Sequence, residues 1–248
     1  MYSILTKNIA IVAFLSLSLF ANVSVSSVKY EGGISLYGKV GSADIRLEED
    51  SKNNTYKMVV VASSSGIIKK LTDNREDIFT SEGKIKNGIY IPDTFTVRVQ
   101  KDSSTEITTY AFDAKNKQVL KTKYKKEMQS YSRFDVIKVA MVKYSEPVES
   151  TSSEYIDYES NDFLSLFLNV RNGNMEHRAL TYIDKKETDK IELVNSTLFE
   201  VSKENGKEKY AINIVNDGTP FMKEAIAKDI AFYGDAYIKK VYENVMNS

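Results

Sequence analysis

The 248-residue chain contains no cysteine, and that absence excludes a good deal. Disulfides, thiolate nucleophiles, zinc–thiolate centres and iron–sulfur clusters all need the thiol. Lipid attachment at an N-terminal cysteine needs it too, which removes a bacterial lipoprotein. Stability must then come from the core and the hydrogen-bond ladder. Tryptophan is also absent and histidine occurs once. That residue, His177, lies in the polar stretch NGNMEHRAL with no Gly-x-Ser-x-Gly elbow anywhere, so a serine triad has no seat and a surface or turn position suits the context. One imidazole without a thiolate cannot build a histidine-based metal cluster. NREDIF and the acidic stretch further on lack the spacing of a dedicated calcium loop. Phosphate-binding glycine loops are missing; Gly32-Gly33 and Gly38-x-x-Gly41 sit in a strand-like stretch, where glycine marks bulges or twist. Basic and acidic residues balance at 34 each, so no overall positive field draws nucleic acid. Glycosidase-type carboxylate pairs do not stand out, because Glu48, Glu49 and Asp50 lie at a turn and Glu76-Asp77 in mixed charge. The expectation is a protein that is not an enzyme, with no catalytic residue, metal or cofactor.

What is present begins with MYSILTKNIAIVAFLSLSLFANVSVSS: one early lysine, an uncharged run from Ile9 to Val23, then small residues. This is the layout of a secretory signal peptide. Residues 1–26 are assigned to it, with cleavage after Ala21 or after Ser26, and the apolar core is too short for a spanning helix. No later run is apolar enough to span. The expected location is the periplasm, reached by export.

From residue 28 to 248 the pattern predicts one β-rich domain. Tyr56, Met58, Val60 and Ala62 alternate onto one face after the turn SKNN, and Asn87-Gly88 is a strong two-residue hairpin signal. After Pro92, which suits a strand start or an edge, Phe95, Val97 and Val99 point inward. Further strands are predicted through QVLKTKYKKE and from Phe134 to Tyr144. Residues 145–160, SEPVESTSSEYIDYES, carry five acids, five serines and a proline with no basic residue, and read as an exposed loop. The alanines of 223–245 favour a helix while Gly234-Asp235 favours a hairpin between two strands, and the hairpin is the preferred reading. The run KNKQVLKTKYKK, with six lysines around Tyr124, reads as a solvated strand face that discourages edge-to-edge pairing.

One passage departs from the β pattern. In SNDFLSLFLNVRNG, residues 160–173, the apolar side chains bunch. At 3.6 residues per turn Asp162, Ser165, Asn169 and Asn172 make one narrow polar stripe, with Phe163, Leu164, Leu166, Phe167, Leu168 and Val170 around the rest. Residues 160–162 can cap the start, Arg171 suits the negative end of the dipole, and Gly173 the stop. A helix over about 162–171, apolar round most of its girth, must be buried on more than one side. Two readings stand: a plug that fills the core of a curved sheet, or the lining of a cavity for an apolar ligand. In the second, Phe163, Leu166, Phe167, Val170, Phe95 and Val97 line the cavity.

The passages VKYEGGISLYGKVGSADIRLEE, NNTYKMVVVASSSGIIKKLTDNREDIFTSEGKIKNGIYIPDTFTV, DFLSLFLNVRN and GDAYIKKV resemble those of the exported bacterial proteins grouped as domain of unknown function 3108. That family is similar to the periplasmic carriers of outer-membrane lipoproteins, in which a curved antiparallel sheet wraps short helices over an apolar concave face. The resemblance implies a half-barrel and an apolar or amphiphilic envelope partner, lipid or lipoprotein. It brings no catalytic residues. The fold expected is therefore mainly β: a curved antiparallel sheet or half-barrel closed by one short helix. Its role is to bind such a component, or alternatively to act as a structural, protein-binding envelope component with a filled core and no ligand.

Overall fold

A computed structural model describes residues 23–171, 179–183, 188–195, 198–202, 209–215, 217, 221–230 and 234–247. The strands are β1 (Val23–Ile34), β2 (Gly38–Asp50), β3 (Thr55–Ser64), β4 (Glu76–Lys86), β5 (Ile89–Gln100), β6 (Ser104–Asp113), β7 (Gln118–Asp135) and β8 (Ala140–Asp157). After them come β9 (Ala179–Ile183), β10 (Thr188–Asn195), β11 (Leu198–Ser202), β12 (Lys209–Val215), β13 (Glu224–Ile230) and β14 (Gly234–Asn247). Two short helices are described, α1 (Gly66–Leu71) between β3 and β4, and α2 (Phe163–Arg171) between β8 and β9. The 14 strands form one open antiparallel sheet in the order β8-β7-β6-β5-β4-β3-β2-β1-β14-β13-β12-β11-β10-β9. From β1 in the middle of the sheet the strands meander to one edge at β8, and α2 comes in sequence between that edge and β9 at the other. The chain then meanders back until β14 pairs with β1.

The alternation read from the sequence produces the core. Register stacks Ser26, Leu47, Met58, Ser81, Phe95 and Tyr110 across β1 to β6 in one inward row, and Val28, Ile45, Val60, Phe79, Val97 and Thr108 in the next. Phe95 and Tyr110 stack with ring centres 5.9 Å apart. Each large apolar side chain buried in these rows contributes about 1.5–3 kcal/mol. Asn87 and Gly88 both take positive φ, 54° and 77°, the type I′ turn whose twist suits a two-residue hairpin. Gly83 sits at a bulge opposite Pro92, where a Cβ would lie 2.1 Å from the Ile91 carbonyl oxygen. β6 pairs with β5 only from Thr94 onward, so Pro92 lies on a local edge of an interior strand.

Several expectations are corrected. Residues 145–160 are not a loop: nearly all of them belong to β8, an edge strand paired with β7 along its whole length. The proline and the charges taken as loop signals are what an exposed edge strand carries. The run from Phe134 to Tyr144 is not one strand, because it folds at Val136–Val139 into the tip of the β7–β8 hairpin. Past the turn that holds Lys115 and Lys117, the lysine run lies in β7 and is half exposed but matched with acids: Lys121 with Glu154 at 2.7 Å, Lys123 with Glu106 at 3.0 Å, Lys126 with Glu149 at 2.8 Å. Such exposed pairs are each worth under about 1 kcal/mol. They match the basic and acidic passages as neighbouring strands. The preferred reading of the C-terminal segment holds: it forms two paired strands, β13 (Glu224–Ile230) and β14 (Gly234–Asn247). The sheet begins at Val23, not Val28, and Val23–Ser26 pair with β2. A cut after Ser26 would shorten a central strand, whereas one after Ala21 leaves it whole. Residues 1–22, Asn172, Gly173 and His177 lie outside the described residues.

Candidate functional site

The inward face of the sheet is a trough with two different ends, and α2 occupies one of them. Asp162 starts the helix: its Oδ1 accepts from the backbone N–H of Leu164 and Ser165 at 2.7 and 2.9 Å, while Ser165 Oγ accepts from the Asp162 N–H at 2.9 Å. This reciprocal cap satisfies helix-start donors that have no partner within the helix. The polar stripe predicted from the sequence is real, but it points inward. Asp162, Ser165 and Asn169 are completely buried, whereas Phe163 is 42% exposed.

A local edge in the sheet explains this orientation. β5 has no β6 neighbour around Tyr90, so its backbone needs another partner. Asn169 supplies one as a side-chain amide: Oδ1 accepts from Tyr90 N–H at 2.7 Å and Nδ2 donates to Tyr90 O at 2.9 Å. The second Asn169 donor goes to Asn161 Oδ1 at 3.1 Å. Ser81 Oγ donates to Asp162 Oδ2 at 2.6 Å and lies 2.9 Å from the Tyr56 hydroxyl. Burial pushes the Asp162 carboxyl up to about 6, against the hydrogen bonds from Ser81, Ser165 and Leu164 that favour its charge. Burial also raises the Tyr56 hydroxyl. At the rim Tyr90 donates to Glu49 and accepts from Arg171 Nη2 at 3.1 Å, with Tyr56 packed edge-on at 5.1 Å.

The six residues predicted to line an apolar cavity therefore separate. Phe95 is buried in the core that receives α2, and Leu166 is buried in the helix itself. Phe167 packs against the core with partial exposure, Val170 is half-buried, and Phe163 faces outward. Only Val97 borders one of the clefts described next. Leu164 and Leu168 are buried with the polar stripe, so this end of the trough is packed by side chains.

The opposite end is open. There the inward positions of β1 to β3 hold Gly32, Gly41, Ala43, Ala62 and Ser64, too small to fill the space, and a cleft of about 310 Å³ results. A second cleft of about 350 Å³ lies beside it, lined by Val97, Val99 and Thr108 and rimmed by Lys101, Glu106 and Lys125. Arg75 lines both. It forms a two-pronged pair with Asp77, Nε to Oδ1 at 2.6 Å and Nη2 to Oδ2 at 2.7 Å, which raises the guanidinium further through the hydrogen bond. The α1 segment is anchored at the edge of this end: Ser65 N–H donates to Val40 O at 2.8 Å, and Asp102 N–H donates to Asp73 O at 3.1 Å. Sequence reasoning missed Arg75 and the small inward residues. A signal was present, in that glycine and alanine fall where the alternation calls for large side chains.

On the far side of β1, Tyr30 donates to Met222 O at 2.7 Å, and Lys240 Nζ reaches Glu243, Asp217 and Phe221 O at 2.6, 2.9 and 3.2 Å. These contacts hold Asp217, Phe221 and Met222, between β12 and β13, against β1 and β14. Among the described residues no group of three or more His, Asp or Glu side chains gathers to hold a metal ion, and no described helix is long and apolar enough to cross a membrane. No protein-family model and no curated protein matches the chain.

Proposed function

We propose that this is an exported, periplasmic, non-enzymatic protein that binds an amphiphile in the open end of its trough. The observation that carries the reading is the asymmetry of the trough: packed under α2, hollow where Gly32, Gly41, Ala43 and Ala62 face inward, with Arg75 and Asp77 at the junction of two clefts. Combined, the clefts suit a chain of modest size, since ligand pockets run to about 300–1,000 Å³. An apolar tail lies along Ala43, Ala62 and Val97, and a polar head meets Arg75 and Lys101. Kinship with the exported family of domain of unknown function 3108 belongs to the same proposal, as does removal of the leader after Ala21, which keeps β1 intact. The structural alternative is favoured at α2, where the packed interior makes the helix a plug.

The test is direct. Protein purified from the export compartment is extracted with organic solvent for mass spectrometry, and its binding of a fluorescent long-chain fatty acid is titrated. Ala62→Leu fills the cleft and is expected to weaken the probe at least tenfold at an unchanged urea midpoint, while Phe163→Ser leaves binding as it was. Absence of both a co-purified amphiphile and probe binding would refute the proposal.

A further inference from the structure

The β7–β8 hairpin continues past the end of β6. Ser104 of β6 pairs with Glu127 and Ser103 O accepts from Met128 N–H at 3.3 Å, whereas β7 runs on to Asp135, paired from Gln129 onward with β8 alone. At about 3.3 Å per residue these seven residues carry a two-stranded arm about 23 Å beyond the open end of the trough.

Its tip has an internal control. Among the described residues three hairpins use the same four-residue turn, opened by an aspartate whose Oδ1 accepts two backbone N–H groups and closed by a residue at positive φ. Asp50 accepts from Lys52 and Asn53 at 2.9 and 3.0 Å, with Asn54 at φ 52°. Asp113 accepts from Lys115 and Asn116 at 3.1 and 2.9 Å, with Lys117 at φ 55°. Asp135 accepts from Ile137 and Lys138 at 2.9 and 3.0 Å, with Val139 at φ 48°. The first two turns read SKNN and AKNK; the third reads VIKV. The geometry is satisfied by polar residues twice over, so the apolar tip is not required by the turn. A β-branched residue at positive φ is itself unfavourable, and Ile137 is 95% exposed with Val136, Val139 and Met141 well exposed beside it.

We infer that this tip docks on an anionic lipid surface. Apolar side chains in water mark an interaction site, and the charge around these selects the partner. Across residues 133–143 Arg133, Lys138 and Lys143 stand against one acid, Asp135, which is engaged in its own turn. The helix α1, on the same rim, exposes Ile67 and Leu71 beside Lys69 and Lys70. Apolar residues interleaved with cations sit at the boundary of headgroups and acyl chains, and the cations add attraction to anionic lipid. The arm thus sets the open end of the trough toward a bilayer. The inference stands whether or not the trough holds a ligand.

The test transplants one turn onto another: Val136→Ser, Ile137→Lys, Lys138→Asn and Val139→Asn give the arm the SKNN turn that the fold already accepts and keep its net charge. Both proteins are sedimented with vesicles of phosphatidylglycerol and of phosphatidylcholine; any contribution of the N-terminal segment is common to the two. The native protein should bind phosphatidylglycerol vesicles at least tenfold more tightly than the transplant and more tightly than it binds phosphatidylcholine. Equal binding by native protein and transplant, or no binding by either, overturns the inference. Equal affinity for the two lipids overturns the anionic assignment. Loss of a protein cross-link in cells, without any vesicle binding, assigns the tip to a protein partner instead and likewise overturns it.

Discussion

Replacing Asp162 by asparagine should make the protein indifferent to pH over a range where it otherwise weakens. The carboxyl is fully buried and neighbours hydroxyls and backbone N–H groups. Burial holds it at about 6 against an ordinary 3.8. Because the folded value is raised, the native state holds the proton more tightly. The neutral form's contribution is complete below about pH 4 and is lost as pH rises through about 6. The gap corresponds to about 3 kcal/mol, or a fall of about 1 M in urea midpoint for a domain this size. Asparagine keeps the acceptor for the Leu164 and Ser165 N–H groups, carries no charge, and presents an amide to Ser81 Oγ, which can accept. Urea unfolding followed by far-UV circular dichroism from pH 4 to 8 should therefore show a decline in the native protein that is smaller in Asp162→Asn by about that amount. The variant should equal or exceed the native protein at pH 7.5. A decline of the same size in both, or a variant weaker by several kcal/mol at pH 7.5, would refute the reasoning.

Other expectations follow from packing. Leu168→Ala, at a fully buried helix position, should cost about 2–5 kcal/mol in urea unfolding, while Phe163→Ser on the outward face should stay within about 0.5 kcal/mol; similar losses at both would mean that the helix is oriented differently. Gly83→Ala should cost about 1–3 kcal/mol, since its Cβ would meet the backbone at Ile91 and Pro92, and hydrogen exchange should then quicken around the β4–β5 bulge. Val139→Asn should raise the urea midpoint slightly, by relieving a β-branched residue at positive φ.

The strands from β2 to β6 were legible because each has one wet and one dry face, and alternation reports that directly. The helix was legible from its stripe and its start: of the three residues offered as a cap, Asp162 serves, and Ser165, read only as part of the stripe, completes it. Which side the stripe faces was not legible. It depends on β5 pairing with β6 only from Thr94 onward, which leaves the flank of Tyr90 away from β4 to Asn169, a property of register between distant strands. The 145–160 passage misled because a long edge strand exposed on both faces has no dry side to produce alternation, and its acids answer lysines that lie far away in sequence. The open end was hidden for the opposite reason: its signal is missing bulk at Ala43, Ala62 and two glycines, and absence of volume leaves no periodic trace.

The joint between β1 and β14 also bears on how the chain is assembled. Ser24 pairs with Asn247 and Ile34 with Ala236, whereas every other strand pair joins sequence neighbours. The meander from β1 to β8 can therefore zip up locally and quickly, and so can the one from β9 to β14. The seam between them must wait for a loop of some two hundred residues to close, the kind of non-local contact that slows folding. Until then one flank of β1 stands bare beside the buried positions of Val28 and Tyr30. A newly made molecule thus carries its most adhesive edge at its centre rather than its periphery, and is most exposed to self-association just before its final strand arrives.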